Sequence, residues 1–140
     1  AGLVQYEISN YAKPAWHSRH NLLYWTGGEY LGLGPSAQSY VNGARFGNVA
    51  DLDHYVACLH ENRLPTTDCT RLSRSERERD ALVFGLRLLR GVPLDAITGA
   101  GRNSEIDHLI ATGFLNTDRE RLWLTPLGRR YADSVAERLF

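Results

Sequence analysis

The stretch from His20 to Tyr40, HNLLYWTGGEYLGLGPSAQSY, constrains the fold more than any other part of the sequence. Four glycines fall between positions 27 and 34, and Pro35 follows directly. Glycine allows the backbone to approach another segment or a flat ligand closely. The pattern predicts about one helical turn over Asn21–Trp25, a turn at Gly27-Gly28, and a short strand over Tyr30–Leu33 that ends at Gly34-Pro35.

The composition indicates an ordinary globular protein. The 140 residues are 43% hydrophobic and 23% charged, enough for one domain, or for one domain and part of another. The formal net charge is zero, so the strong positive charge of a dedicated nucleic-acid binder is missing. No apolar run approaches the roughly 20 residues of a membrane span. Because the sequence starts at alanine and contains no methionine, we expect a processed form or an excised part of a longer protein.

Two cysteines, Cys58 and Cys69, do not form a recognisable metal or redox motif. They could pair with each other, but without a secretory signal we expect free thiols in a reducing cytoplasm. His60 lies two residues after Cys58, yet two candidate ligands do not make a metal site.

In the amino-terminal half, alternation and turn signals predict small strands and one helix. Leu3–Ser9 alternates between apolar and polar residues, as a strand does. Asn42-Gly43 is a strong type I′ turn signal, which would join strands at 39–41 and 45–47. We expect Asp51 to cap a helix from about residue 52 to 62. Leu52, Tyr55, Val56 and Leu59 are spaced for one buried face of that helix, and residues 64–70 with Pro65 are expected to be a linker.

In the carboxyl-terminal half, the pattern is mainly helical. Ser73 and Glu76 have the spacing of a capping box, which predicts a helix to about Arg90. The following elements are predicted as a short helix over 94–97 closed by 98–101, a helix from Asn103 or Ser104 to about Ala111, strands at 114–117 and 121–124, and a final helix from Thr125-Pro126 through Phe140. We therefore predict a mainly α fold with small β elements (α+β), with a winged-helix-like carboxyl-terminal domain.

A winged-helix order raises the hypothesis of nucleic-acid binding. The candidate recognition helix, however, carries Glu105 and Asp107 beside His108, and carboxylates repel phosphates. The charges in the turn at 118–121 balance as well. We therefore expect a structural module and no nucleic-acid partner, and keep nucleic-acid binding as a third hypothesis.

His20 is the strongest single candidate for chemistry. An imidazole nitrogen can ligate haem iron, and Tyr24 and Trp25 could stack on a macrocycle. The alternative is a histidine hydrogen-bonded within a loop. Gly32, Gly34 and Ala37 match a dinucleotide fingerprint in spacing only, since Pro35 interrupts it and no long helix clearly follows. No catalytic triad or carboxylate pair stands out, so spacing nominates no catalytic residue.

Several segments together resemble the oxygen-independent coproporphyrinogen III oxidase family of radical S-adenosylmethionine proteins. They are YEISNYA (6–12), RHNLLYW (19–25), YLGLGPSAQSY (30–40), FGLRLLRGV (84–92) and GFLNTDRERLWLTPLGR (113–129). The HNxxYW motif, here His20-Asn21-Leu22-Leu23-Tyr24-Trp25, is similar to that of the family's haem-chaperone branch. The resemblance covers essentially the whole chain.

The resemblance implies a parent protein with a partial (β/α) barrel, a [4Fe-4S] cluster on a CxxxCxxC motif and bound S-adenosylmethionine. This chain contains no CxxxCxxC, so we expect it to hold no cluster and to start no radical chemistry. By resemblance, residues 1–45 would be the end of the barrel domain and 46–140 the helical carboxyl-terminal domain. Strands near 4–8 and 30–33 would then have unpaired edges, which could support a homodimer.

The resemblance also implies a site and a function. His20, Asn21, Tyr24 and Trp25 would contact haem, with His20 as the metal ligand, and Gly32, Gly34, Ser36 and Gln38 would line the cofactor cavity. The first functional hypothesis is a cytoplasmic haem chaperone that binds haem and delivers it to a recipient protein. The second is part of an oxygen-independent coproporphyrinogen III dehydrogenase of porphyrin biosynthesis.

Overall fold

The computed structural model describes residues 2–97 and 104–140, which form a mixed α and β fold. Contacts within the chain define two compact units. Unit 1 consists of Ala1–Gly27 and Arg74–Phe140, and unit 2 consists of Gly28–Ser73. The predicted closure at 98–101 and the alternative cap Asn103 lie outside the described residues. The predicted domain boundary near residue 45 stays a prediction, since compact units and family domains are different divisions.

The described residues contain six α-helices and eight short strands. The helices are α1 (Arg19–Trp25), α2 (Leu52–His60), α3 (Arg74–Gly85), α4 (Ser104–Ala111), α5 (Pro126–Arg130) and α6 (Ala132–Leu139). The strands are β1 (Val4–Gln5), β2 (Tyr11–Ala12), β3 (Gln38–Val41), β4 (Ala44–Asn48), β5 (Thr66–Arg71), β6 (Val92–Pro93), β7 (Leu115–Thr117) and β8 (Arg121–Leu124). A 3₁₀ turn, Asp95–Ile97, stands where a short helix was predicted. No helix in the described ranges is long and apolar enough to cross a membrane.

The core of unit 1 lies between helices α3, α4 and α6 and the antiparallel sheet β6-β8-β7. Apolar side chains recur at helical spacing in the helices and on alternate positions of β8, so both patterns deliver residues to one cluster. That cluster contains Leu82, Val83, Leu86, Val92, Ile97, Ile106, Leu109, Leu115, Leu122, Leu124, Val135 and Leu139. The predicted strands around the turn at 118–120 are confirmed.

That turn is stabilised by its own aspartate. The carboxylate of Asp118 accepts hydrogen bonds of 2.7 Å from the backbone N–H groups of both Glu120 and Arg121. These bonds hold the pKa of Asp118 below its ordinary value, because they favour the charged form.

The strand predicted over Leu3–Ser9 is wrong in extent. Only Val4–Gln5 forms a regular strand, paired with Tyr11–Ala12. The chain beyond it turns to the segment that follows α3, where Glu7 pairs with Leu88. The N–H of Ile8 donates to the carbonyl of Arg87 at 3.0 Å, and the N–H of Leu89 donates to Tyr6 at 3.1 Å. Long-range backbone pairing therefore replaces the local strand.

The same pairing shortens α3, which ends at Gly85 rather than near Arg90. Backbone groups of residues 87–89 that would continue the helix bond to residues 6–8 instead. Gly91 then turns the chain with a φ of +66°. The predicted single final helix is likewise two helices, because the chain departs from helical geometry at Tyr131 (φ −119°) between α5 and α6.

Unit 2 is a three-stranded antiparallel sheet, β3-β4-β5, with α2. The predicted hairpin is confirmed: Val41 pairs with Ala44, and Asn42 and Gly43 have φ values of +50° and +73°. The strand predicted over Tyr30–Leu33 is reduced to one isolated pair, Tyr30 with Tyr40. The segment predicted as a linker at 64–70 is instead largely β5, whose threonines suit a strand beside β4.

Helix α2 begins where predicted, since the side chain of Asp51 accepts a 2.8 Å hydrogen bond from the N–H of His54. Its predicted buried face is wrong. Leu52, Val56 and Leu59 are 61%, 41% and 49% exposed, whereas Cys58 is buried. Spacing alone identified an apolar stripe but not whether anything covers it.

Candidate functional site

Helix α1 carries the RHNLLYW motif and is defined at both ends by hydrogen bonds. The hydroxyl of Ser18 accepts from the N–H of Asn21 at 3.3 Å, which caps the amino terminus. At the other end, both the N–H and the hydroxyl of Thr26 donate to the carbonyl of Leu22, at 2.9 and 2.7 Å. Seven residues are too few for a helix that is stable alone, which takes about 12–15. The helix therefore depends on its packing against α3.

The four predicted haem contacts lie on two sides of α1. His20 is exposed, and its ring meets Tyr24, one turn later, edge to face at 4.9 Å between centroids. Trp25 instead packs towards α3, with Phe84 at 6.5 Å and the guanidinium of Arg87 at 4.5 Å from its ring. The structure thus brings His20 and Tyr24 together and gives Trp25 different neighbours. Asn21 is half-buried and contributes its backbone N–H to the cap.

His17 lies before α1, in the loop that leads into the helix. Its ring stacks on Tyr6 at 4.4 Å between centroids with 10° between planes. The hydroxyl of Tyr6 also accepts a 3.3 Å hydrogen bond from the N–H of Ser18. Tyr6 therefore holds the loop that leads into α1.

Sequence reasoning missed the roles of Tyr6 and Arg87. Both lie in segments that carried the family resemblance, but no local pattern links either residue to α1. Their partners lie about 11 and 60 residues away in the sequence, so only the tertiary fold shows these contacts.

The predicted cofactor-binding residues Gly32, Gly34, Ser36 and Gln38 lie in unit 2, in the loop before and at the start of β3. Most of this loop's polar backbone already has partners. The N–H of Gly32 donates to the hydroxyl of Ser39 at 3.0 Å, and the N–H of Gly34 donates to the hydroxyl of Tyr55 at 3.2 Å. Asn48 donates to both glycine carbonyls, at 3.2 and 2.9 Å.

The two glycines are required for different reasons. A Cβ on Gly32 would lie 2.3 Å from the carbonyl oxygen of Gln38, so close packing within unit 2 explains this glycine. Gly34 has a φ of +101° and open space around the Cβ position, so its backbone conformation explains it. Ser36 and Gln38 are exposed. Their role in holding a cofactor stays a prediction.

The chain's own cysteines do not fit an iron–sulfur cluster. Cys58 is buried in α2 and Cys69 is exposed on β5, and both are free. Within the described ranges, no group of three or more histidine, cysteine, aspartate or glutamate side chains could hold a metal ion. A [4Fe-4S] cluster would need ligands from outside this sequence.

Comparison with known proteins connects these features to a family. Residues 72–131 match the HemN C-terminal domain family. Over 139 residues the chain is 35% identical to the haem chaperone HemW of Mycobacterium tuberculosis, covering 99% of this chain and 35% of that protein. The chain is a homologue of HemW. It is also 31% identical to HemW of Bacillus subtilis over 141 residues, covering 96% of this chain and 37% of that protein.

A solved structure shares the fold. The chain superposes on the coproporphyrinogen III oxidase HemN of Escherichia coli, described as a radical SAM enzyme, with a TM-score of 0.70 at 16% identity. The match covers 99% of this chain and 37% of that structure. This HemW-like chain therefore spans little more than a third of the length of its relatives. The expected membership of the HemN-like radical SAM family is confirmed.

Proposed function

We propose that this chain supplies the haem-binding segment of a HemW-like haem chaperone, with His20 as the iron ligand. The observation that carries the proposal is the exposed imidazole of His20, held against Tyr24 on a capped helix whose sequence is the HNLLYW motif. Haem is here the cargo that the protein would receive and pass to a recipient protein.

The geometry suits a ligand that must be released again. An imidazole nitrogen binds haem iron, and the contact with Tyr24 restricts the orientation of the ring without burying it. An exposed ligand lets a recipient protein approach the same haem. In this proposal Trp25 supports α1 through its contacts with Phe84 and Arg87, and Asn21 supports its cap.

The proposal includes a longer parent protein, since the relatives are nearly three times as long. In that parent, a [4Fe-4S] cluster and S-adenosylmethionine would be held largely by segments outside this sequence. We further propose that residues 1–45 complete a barrel domain and that 46–140 form the carboxyl-terminal domain with a winged-helix-like end. Function in the cytoplasm and a homodimer are also proposed, without nucleic acid as a partner.

The test is a haem titration of this chain followed by Soret absorbance. The wild-type chain is expected to give a saturable, shifted Soret band, and His20→Ala is expected to lose it. His108→Ala is the matched control, because His108 is also an exposed histidine on a helix of unit 1. Equal binding by wild type and His20→Ala, or equal loss in both variants, would contradict the proposal.

The HNLLYW motif also distinguishes between the two functions that the family resemblance implies. It supports a haem chaperone over a coproporphyrinogen III dehydrogenase, for which porphyrinogen would be the substrate. Saturable binding of haem that requires His20 would support the first.

A further inference from the structure

A cavity of about 340 Å³ lies in unit 1 beside the residue that ends the HNLLYW motif. Most of its lining is apolar and includes Ile8, Phe84, Val135 and Phe140. Trp25, Arg87 and Asp133 also line it, and each carries a polar group. This volume is at the lower end of the range for small-molecule sites, about 300–1,000 Å³.

Two buried donors beside the cavity have no acceptor. The Nε1 of Trp25 and the Nε of Arg87 are buried, and neither has a hydrogen-bond partner among the described residues. Other protein atoms enclose both nitrogens, so a molecule in the cavity would meet the terminal nitrogens of the partly exposed Arg87 instead. The guanidinium lies 4.5 Å from the centroid of the Trp25 ring, so the indole face supports it.

The charge of Arg87 is also weakly compensated. Its Nη1 lies 3.8 Å from the carboxylate of Asp133, whose side chain is 96% exposed. An ion pair of this length with an exposed partner contributes little. Arg87 itself is only 28% exposed, so a partly buried guanidinium faces a mainly apolar cavity. A planar guanidinium matches a carboxylate through two parallel hydrogen bonds.

We propose that this cavity binds a carboxylate carried on an apolar body, with the terminal guanidinium nitrogens of Arg87 as the donors. The apolar body would occupy the side lined by Phe84 and Val135. The carboxylate could belong to a free amphipathic acid, such as a medium-chain fatty acid, or to a propionate of haem. The site does not depend on His20, which lies on the exposed face of α1.

The test uses decanoate as the probe, in calorimetric titrations of this chain, with decanol as the uncharged control. We expect decanoate to bind at least about tenfold more tightly than decanol, because a hydrogen bond between two charged groups is roughly twice as strong as one between neutral groups. Arg87→Gln is expected to remove that preference. Asp133→Asn is the matched control, expected to bind decanoate at least as well as the wild type.

Three results would overturn the proposal: equal affinity of the wild type for decanoate and decanol, undiminished decanoate binding by Arg87→Gln, or no binding of decanoate. Circular dichroism checks that each variant is folded. If Arg87→Gln unfolds, Arg87→Lys takes its place. Arg87→Lys keeps the charge and is expected to keep part of the preference for decanoate over decanol, whereas the wild type and Asp133→Asn are expected to show all of it.

The source of the carboxylate is found by competition in the His20→Ala background. Displacement of decanoate by haem, but not by haem dimethyl ester, would identify a propionate as the occupant. No displacement by haem would indicate a separate amphipathic acid. Because loss of the Soret band in His20→Ala is measured independently, failure of the haem proposal and failure of this one are distinguishable.

Discussion

Gly91 offers the sharpest test of the packing in unit 1. It turns the chain between α3 and β6 with a φ of +66°, and a Cβ there would lie 2.1 Å from the carbonyl oxygen of Leu122 and 2.7 Å from the Cβ of Trp123. A left-handed conformation costs a residue with a side chain about 1–2 kcal/mol. Forcing β8 to move adds about 1–3 kcal/mol, as overpacking does. Gly91→Ala is therefore expected to lower the free energy of unfolding by about 2–5 kcal/mol.

Gly113→Ala is the matched control for this prediction. Gly113 also has a positive φ, +79°, but a Cβ there would meet nothing within 4 Å. Gly113→Ala should therefore lower the free energy of unfolding only by the conformational cost of about 1–2 kcal/mol. Both variants are measured by urea unfolding, with circular dichroism and tryptophan fluorescence as independent probes. Equal losses would refute the reasoning, because the difference between the variants isolates the clash with β8. Both expected losses are measurable, because the free energy of unfolding of a typical domain is only about 5–15 kcal/mol.

Three further predictions test single hydrogen-bonding side chains. Thr125→Ala removes the cap of α5 and is expected to lower the free energy of unfolding by about 1 kcal/mol, with Thr125→Ser nearly unchanged. Asp118 has a lowered pKa, so its contribution to stability is complete above the unfolded pKa of about 3.9 and is lost as the pH falls through the folded value. Asp118→Asn should therefore be less stable than wild type at pH 7, and the difference should shrink below about pH 4; an unchanged difference would contradict this assignment. Asn48→Ala deprives the carbonyls of Gly32 and Gly34 of their donor, so hydrogen exchange in that loop is expected to accelerate by about tenfold, with β8 unaffected.

The elements that sequence predicted best are those specified by local chemistry. Asn42-Gly43 determines its turn because both residues accept a positive φ, and Asp51 begins α2 because its carboxylate reaches an amide three residues on. Strands β7 and β8 follow from short apolar alternation around one charged turn. In each case, the residues that decide the structure lie within a few positions of each other.

The errors arise where distant segments compete with local preference. Residues 87–89 have helical spacing, yet they pair with residues 6–8, and no local pattern encodes that contact. Residues 64–70 were predicted as a linker, but most of this segment is β5, which is defined by its pairing with β4. The apolar stripe of α2 was predicted correctly as a stripe, but burial depends on what covers it.

The candidate site also combines features that a local motif predicts with features that only the tertiary fold determines. The motif pointed to His20, Tyr24 and Trp25, but its helical spacing did not show that Trp25 would meet Arg87 while His20 stays exposed. The cavity beside Arg87 is built from residues at 8, 25, 83–87 and 124–140. A site assembled from such distant segments has no signature in any one of them.

Unit 1 is built from two separate stretches of the chain, so its parts are synthesised at different times. Helix α1 is made about 60 residues before the end of α3, the helix against which it packs. At about 5–20 residues per second, this delay is on the order of 3–12 s. A seven-residue helix is unstable alone, so the HNLLYW segment cannot hold its final shape during this interval. A nascent chain would therefore gain an ordered His20 only after α3 has left the ribosome, so in the proposed function haem could bind at an ordered site only from that point on.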